Sequence, residues 1–144
     1  PALPERSRMT DCTDLDIEAQ RALIKAYAPY SRLRVGAAVR TRSGAIYRGC
    51  NVECASYTLG GCAERAAIAA AVQAEGPQVE IVAVAIHALN SRDEAQIIPP
   101  CGGCRQMIME LGPKARVRFL GEGGTPVDLS IAELLPHAFA LVQH

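Results

Sequence analysis

Tryptophan is absent from this chain, and aromatic side chains are few: four tyrosines and two phenylalanines among 144 residues. A protein that stacks single-stranded nucleic acid needs a platform of aromatic rings, so this composition argues against a nucleic-acid partner. Net charge is lacking too, because 15 basic residues are matched by 15 acidic ones. Such a balance gives no electrostatic reason to bind a polyanion or an anionic membrane. A small, roughly uncharged ligand suits the composition better.

Long apolar segments are also lacking. No run approaches the roughly 20 residues that a membrane-spanning helix needs. The first residues, PALPERSR, contain no hydrophobic stretch of the kind found in a secretory signal. We therefore expect a cytoplasmic protein with no membrane partner. In that compartment disulfides are uncommon, and clustered cysteines more often bind a metal or take part in catalysis.

The length of the chain is sufficient for one domain that buries its own core. We predict a single domain over residues 13–144, preceded by an N-terminal extension over 1–12 in which Met9 is a candidate natural start. No internal repeat, low-complexity tract or linker divides the sequence.

Hydrophobic periodicity and turn residues predict four helices, at 15–28, at 62–75, from about Gly102 onward, and at SIAELLP. Asp11 or Thr13 can cap the first helix, and Pro29 ends it. Ser130 and Glu133 form a capping box for the last.

The strand signals lie between these helices. Two strands joined by Ser43-Gly44 form a predicted hairpin, a β-branched run over 79–89 is typical of a buried strand, and ARVRFLGEG is a further strand. Helices that alternate with strands and strand pairs favour an α/β fold, a three-layer α/β/α sandwich around a mixed sheet.

Three of the six cysteines have the positions of metal ligands. Cys101-Gly-Gly-Cys104 opens one predicted helix, and Cys62 opens another. Helix N-termini favour thiolates, the form of cysteine that binds metal, so two such ends facing one another would gather three thiolates around one ion. Three protein ligands leave a fourth position open, as in catalytic rather than structural zinc sites.

Other interpretations of the cysteines stay open at this point. A C-x-x-C pair also occurs in redox dithiols. Cys62 taken alone could be a small buried apolar residue, which is the ordinary state of a free cysteine. Cys54 could serve as a fourth ligand and close the site. Cys12 and Cys50 have no partner at a metal-binding spacing and are interpreted as ordinary cysteines.

A carboxylate two residues after Cys62 favours the catalytic interpretation. C-x-E followed by P-C-x-x-C is the signature of zinc deaminases, in its all-cysteine variant. Glu64 would be a carboxylate that is not a ligand, able to take a proton from water and pass it to the ring nitrogen and then to the departing amine. Arg65 lies three residues after Cys62 on the same helical face, where it can offset thiolate charge.

Four segments together resemble the small, homotetrameric cytidine deaminases: YAPYSRLRVGAAV, GCNVECASYTLGGCAERAAI, PPCGGCRQ and ELLPHAF. They occur in the order and spacing of that family, from about residue 13 to residue 139. The resemblance implies a mixed five-stranded sheet, a homotetramer, and one Zn²⁺ per subunit bound by Cys62, Cys101 and Cys104. It also implies that Glu64 is the catalytic proton shuttle and that Arg65 neutralises thiolate charge.

The resemblance further implies how a nucleoside is held. Asn51 and Glu53 match the pair that holds the ribose hydroxyls. The backbone N–H of Ala63 matches the donor to the pyrimidine 2-oxo group, and the carbonyl of Pro99 matches the acceptor for the leaving amine. Phe139 matches an aromatic residue that reaches into a neighbouring subunit's site.

Two positions depart from the family pattern. Leu33 stands where a phenylalanine usually packs against the pyrimidine ring. It offers apolar contact but no aromatic stacking, and the missing stacking is worth about 0.5–1.5 kcal/mol. We expect a KM raised about tenfold, or looser base selectivity, without loss of the chemistry. Pro99 stands where serine or threonine is more usual, and its backbone carbonyl survives that change.

The leading hypothesis is zinc-dependent hydrolytic deamination of cytidine and 2′-deoxycytidine to uridine and 2′-deoxyuridine, with release of ammonia, as in pyrimidine salvage. Leu33 keeps open a modified cytosine nucleoside as substrate, such as the antibiotic blasticidin S, whereas the N-V-E ribose clamp favours an ordinary nucleoside. Outside the enzymes, a non-catalytic zinc- or nucleoside-binding protein is the alternative. Glu64 argues against it, because binding alone needs no proton shuttle.

Overall fold

The computed structural model describes residues 14–141, whose strands form one mixed five-stranded sheet. The sheet order is β2-β1-β3-β4-β5, where β1 is Arg34–Thr41, β2 Ile46–Cys50, β3 Ile81–Leu89, β4 Arg116–Leu120 and β5 Pro126–Ser130. β3 and β4 are parallel, and the other neighbouring strands are antiparallel. The predicted α/β fold with a mixed five-stranded sheet is confirmed.

Helices cover both faces of this sheet. Their bounds are 14–23 for α1, Ala63–Glu75 for α2, Gly102–Leu111 for α3 and Ile131–Leu134 for α4, with short 3₁₀ turns at Tyr57–Leu59 and Glu122–Gly124. Residues of β1 divide two cores, because successive side chains of a strand point to opposite faces. Ala37 and Val39 pack in the core beneath α2, α3 and α4, whereas Ala38 packs against Leu15 and Ala19 of α1. The result is the predicted three-layer sandwich.

Two glycines allow helices to lie very close to the sheet. A Cβ atom on Gly36 would lie 2.0 Å from the carbonyl oxygen of Ala19 in α1. A Cβ atom on Gly49 would lie 2.3 Å from the backbone nitrogen of Ala67 in α2. The alanine-rich face of α2 and the absent side chain of Gly49 thus set the position of α2, and with it the position of Cys62 at its N-terminus.

Most predicted elements are present. α2 begins after Cys62 and ends before Gly76, the hairpin turns through Ser43 and Gly44, and the Ser130–Glu133 capping box forms. Within residues 14–141 no helix is both long and apolar enough to cross a bilayer. The predicted caps Asp11 and Thr13, and the predicted boundary between residues 12 and 13, lie outside the described residues.

Two elements differ from the sequence-based expectation. The first helix ends at residue 23 rather than 28, because the chain turns so that Tyr27 donates its backbone N–H to the Asn51 carbonyl at 3.1 Å. Strand β5 is not located by the sequence pattern. It is a short strand at the edge of the sheet that starts with Pro126, and such a strand carries a weak signal.

Candidate active site

Three cysteine sulfurs meet between the N-termini of α2 and α3. Cys62 is the N-cap of α2, Cys101 is the N-cap of α3, and Cys104 lies in the first turn of α3. Their Sγ atoms all lie within 4.8 Å of one another. The two helix ends therefore bring together Cys62 and Cys101, which are 39 residues apart in the sequence.

This donor set fits zinc. Tetrahedral zinc with Zn–S bonds of about 2.3 Å separates its sulfur ligands by about 3.8 Å, and the Sγ atoms of Cys62 and Cys101 are 3.9 Å apart. The backbone N–H of Cys104 donates to Cys101 Sγ at 3.5 Å, which favours negative charge on that sulfur. In the part of the chain that the structure describes, Cys54 lines the adjoining cavity without joining this group. Three ligands match the catalytic kind of zinc site.

The surrounding protein shifts the pKa values of the three cysteine thiols in different directions. Burial is the main cause that raises the pKa of Cys62 and of Cys104, and the nearby Glu64 carboxylate adds to the effect in both. Burial also opposes ionisation of Cys101, but hydrogen bonds from Cys104 and Cys62 together outweigh it and lower the pKa of Cys101. The lowered pKa of Cys101 agrees with its place at a helix N-terminus, and a bound cation would favour the thiolate form in all three cysteines.

Glu64 is the second residue of α2 and is only 4% exposed. Burial is the largest influence on its carboxyl group and raises its pKa, against hydrogen bonds from its own backbone and the Cys104 thiol. Glu64 and Cys62 line the same cavity. They converge because Cys62, as the N-cap, has an extended backbone and does not follow the helical spacing. A buried carboxylate at this place can accept a proton and give it back.

A cavity of about 610 Å³ opens beside the sulfurs. Seven predicted site residues line it: Asn51, Glu53, Cys62, Ala63, Glu64, Pro99 and Cys101. Its lining contains two carboxylates and no lysine, arginine or histidine among the described residues. The cavity is therefore shaped for a ligand without negative charge.

Asn51 connects the cavity wall to the start of β1. Its Oδ1 accepts from the backbone N–H of Val35 at 2.8 Å, and its Nδ2 donates to the carbonyl of Leu33 at 2.8 Å. A side-chain amide has two N–H groups and two lone pairs on oxygen. One donor and one acceptor position therefore remain for a ligand.

Glu53 is held by the turn that precedes β1. Its Oε1 accepts from the backbone N–H groups of Tyr30 and Ser31, at 3.0 and 3.1 Å, and its Oε2 accepts from the Ser31 hydroxyl. The hydrogen bond from the hydroxyl is the largest of the influences that lower the pKa of this carboxyl group, followed by the backbone of Ser31. Glu53 is consequently ionised at neutral pH.

Four predicted residues lie outside the lining of this chain's cavity, and one of them is Cys104, which is fully buried beside it. Arg65 lies on the helix that Cys62 caps, and its side chain donates to the Gly60 carbonyl at 3.0 Å. Leu33 is partly buried and packs against the main core. Phe139 is 69% exposed, and its carbonyl accepts from Gln106 Nε2 at 2.8 Å. The roles of Arg65, Leu33 and Phe139 stay predictions.

Sequence reasoning missed other residues of the cavity lining, which are Tyr30, Ser31, Val35, Val52, Tyr57 and Ile98. Val35 and Ile98 belong to segments far apart in the chain, and no local pattern marks them. Tyr30 and Ser31 follow Pro29 in a turn-forming sequence, which is a weak signal for a loop and none for a ligand site.

Comparisons with known proteins agree with this geometry. The family described as "Cytidine and deoxycytidylate deaminase zinc-binding region" matches residues 12–120. A cytidine deaminase of Halalkalibacterium halodurans is 44% identical over 123 residues, which cover 85% of this chain and 89% of that protein. A solved cytidine deaminase from Burkholderia pseudomallei has a TM-score of 0.78 and 42% identity, covering 88% of this chain and 98% of that one. The structure from Mycobacterium tuberculosis has a TM-score of 0.76 and 35% identity, covering 91% and 98%.

Proposed function

This chain belongs to the cytidine and deoxycytidylate deaminase family, and we propose that it hydrolyses cytidine and 2′-deoxycytidine to uridine and 2′-deoxyuridine with release of ammonia. Cys62, Cys101 and Cys104 would hold the zinc ion of this zinc-dependent hydrolase. One observation carries the proposal, which is the buried Glu64 carboxylate in the same cavity as these sulfurs. A purely structural zinc site has no use for such a group.

Glu64 carries the protons of the reaction. Zinc, when bound, supplies a Lewis acid that lowers the pKa of a water molecule toward neutrality. Glu64 accepts a proton from water and delivers it to N3 of the pyrimidine while oxygen adds to C4. The same carboxylate then takes the proton of the new hydroxyl group on C4 and passes it to the 4-amino group, the C4–N bond breaks, the C4 carbonyl forms and ammonia leaves. One water is consumed for each ammonia released.

The substrate is a nucleoside rather than a nucleotide. The family includes deaminases of both kinds, but a 5′-phosphate would enter a cavity that contains two carboxylates and no basic side chain among the described residues. We assign Asn51 and Glu53 to the ribose hydroxyls, where both have acceptor positions to spare. The Ala63 N–H, at the first residue of α2, has no acceptor within its helix and can bind the 2-oxo group. The carbonyl of Pro99, which lines the cavity, would accept from the leaving amine.

We propose further that the protein is a homotetramer in which Phe139 reaches a neighbouring site. Support comes from the exposure of large apolar side chains, including Tyr57 at 83%, Leu59 at 75% and Phe139 at 69%. Exposed apolar side chains of this size are available for contact with neighbouring subunits. Arg65, whose guanidinium lies close to the N-terminus of α2, would offset thiolate charge. Residues 13–144 would form the single catalytic domain, acting in the cytoplasm, where its thiols stay reduced.

Turnover of a nucleoside panel by wild type and Glu64→Gln tests the proposal. We expect wild type to deaminate cytidine and 2′-deoxycytidine but not cytidine 5′-monophosphate. Glu64→Gln should keep one zinc ion per chain, measured by metal analysis, and lose about 10²- to 10⁴-fold in kcat. Glu75→Gln, at the other end of α2, is the matched control and should keep full turnover.

Two results would contradict the assignment. Undiminished turnover in Glu64→Gln would remove the proton shuttle. If cytidine is not deaminated while a bulky analogue such as blasticidin S is deaminated rapidly, the substrate is a modified nucleoside and not cytidine. That outcome would also bear on Leu33, which packs into the core and leaves the base without its usual aromatic contact.

A further inference from the structure

We propose that Ser31 is a positioning residue for the reaction: its hydroxyl group holds the Glu53 carboxylate in the orientation that binds the sugar of the nucleoside. The inference rests on the proposed function, because Glu53 contacts a sugar only if a nucleoside is the substrate. Neither the signature motifs nor the family resemblance assigns a role to Ser31. Its role follows from the contacts of one turn.

Both oxygens of the Glu53 carboxylate are held from the same turn. Oε1 accepts from the backbone N–H groups of Tyr30 and Ser31, and Oε2 accepts from the Ser31 hydroxyl. Among the described residues the Ser31 hydroxyl alone donates to Oε2, and it restrains rotation of the carboxylate. A carboxylate has about four acceptor positions, and these contacts occupy three. About one position is left for a ligand in the cavity that Glu53 lines.

The Ser31 hydroxyl is itself oriented by the backbone. Its oxygen accepts from the N–H of Leu33 at 3.0 Å. Because a hydroxyl has a single proton, and this contact fixes where the oxygen points, the proton is directed to Glu53. A hydrogen bond from a neutral donor to an ionised acceptor is among the stronger ones in proteins.

The turn that carries Ser31 is held in an uncommon conformation. Arg32, between Ser31 and Leu33, has a φ of 60°, in the left-handed region that non-glycine residues rarely adopt. Its N–H donates to the Ala28 carbonyl at 3.0 Å. Strain of this kind persists where surrounding contacts impose it, and it is frequent at ligand sites. Here it brings Ser31 Oγ within reach of both Leu33 and Glu53.

The position of the turn predicts which kinetic constant responds. Ser31 acts on the sugar end of the cavity, through Glu53, and no contact links it to Glu64 or the sulfurs in the described structure. Loss of its hydroxyl should therefore weaken nucleoside binding and leave the proton transfers intact. For Ser31→Ala we expect the KM of cytidine to rise about 5- to 20-fold, with kcat within about twofold of wild type.

Variants of Ser31, with a control variant at Ser43, distinguish the positioning of Glu53 from a general structural role of Ser31. Ser31→Thr keeps the hydroxyl and should restore most of the affinity, whereas Ser31→Cys keeps the size but has a weak donor and should not. Ser43→Ala is the control, because Ser43 makes the same pair of contacts at the far end of β1, donating to Glu75 and accepting from Ala45. It should leave the KM unchanged.

The decisive substrate is 2′,3′-dideoxycytidine, which lacks the 2′- and 3′-hydroxyl groups of the sugar and keeps the 5′-hydroxyl. Its KM should be the same for wild type and Ser31→Ala, since the contact that Ser31 prepares does not exist for this nucleoside. In a Glu53→Gln background, Ser31→Ala should add no further rise in the KM of cytidine. Ser31→Thr and Ser31→Cys, which change the donor and keep a side chain of similar size, decide the matter even if Ser31→Ala folds poorly.

The possible failures are distinguishable. A wild-type protein that does not deaminate cytidine would overturn the proposed function and this role with it. An active wild type combined with an unchanged cytidine KM in Ser31→Ala, or with an equal rise for cytidine and 2′,3′-dideoxycytidine, would overturn the role of Ser31 alone.

Discussion

A serine is paired with a glutamate at each end of strand β1, and the two pairs have the same local geometry. Before β1, Ser31 accepts from the backbone N–H two residues later and donates to Glu53. After β1, Ser43 accepts from the N–H of Ala45, again two residues later, at 3.2 Å and donates to Glu75 at 2.8 Å. In both turns the residue after the serine has a positive φ.

The surroundings of the two glutamates differ. Glu75 is the last residue of α2, where a negative charge opposes the helix dipole. Hydroxyl groups of Thr41, Ser43 and Tyr47 all donate to it, at 2.7 to 2.8 Å, and offset that cost. Glu53 belongs to no helix or named strand and lines the cavity. One motif therefore stabilises a helix end in one place and prepares a ligand site in the other, and the motif itself does not distinguish the two uses.

The largest expected contrast comes from neutralising each glutamate in turn. Glu53→Gln should raise the KM of cytidine about 10- to 100-fold, because the ribose loses a charged acceptor, with a small change in Tm. Glu75→Gln should lower Tm by roughly 2–4 °C and leave KM unchanged. Steady-state kinetics and thermal melts of the two variants check this. Equal effects of both substitutions on KM would show that the two pairs are not functionally distinct.

A smaller effect should appear in the pH dependence of stability. The hydroxyl of Thr41 first, then Tyr47 and Ser43, lower the pKa of Glu75 from its ordinary value of 4.5. The stabilisation from this ionised group is complete above the unfolded-state pKa and is lost as the pH falls through the lower folded-state pKa. The difference in Tm between wild type and Glu75→Gln should be largest at neutral pH and should shrink as the pH falls below the ordinary value of 4.5. A difference that persists into strong acid would contradict this origin.

The smallest effects concern the residues with positive φ. Gly44 has a φ of 92°, and a Cβ there would meet nothing within 4 Å, so Gly44→Ala should cost about 1 kcal/mol from backbone strain alone. Arg32 already bears such strain at a φ of 60°. Arg32→Gly should be neutral to stabilising by up to about 1 kcal/mol, since relief of strain is partly offset by unfolded-state entropy. Chemical denaturation measures both, and a destabilised Arg32→Gly would mean that its side chain supports the turn.

Much of the fold was predictable because its signals are local. The alanine run bounded by Cys62 and Gly76 predicts α2, and the Ser130–Glu133 pair predicts a helix start, since caps and periodicity involve residues close in sequence. The end of α1 was not predictable. It depends on a bond from Tyr27 to Asn51, a partner on a later segment.

The site residues likewise fall into those that the sequence reveals and those that it does not. The three cysteines and Glu64 carry a spacing that reflects their chemistry, so they are visible in the sequence. Ser31 and Ile98 are not, because a serine after a proline or an isoleucine in a loop has many uses. Ser31 and Ile98 become cavity-lining residues only when the sheet has brought distant segments of the chain together.

Cys62 and Cys101 belong to different connections of the sheet, one between β2 and α2 and the other between β3 and α3. An ion bound to both would hold these two connections together in the folded state, joining residues that are 39 positions apart in the sequence. Metal binding to the folded state also adds its free energy to the stability of the fold. The zinc that serves the chemistry would in this sense also join two helices of the same layer, so removal of the metal should lower the stability of the fold as well as the activity.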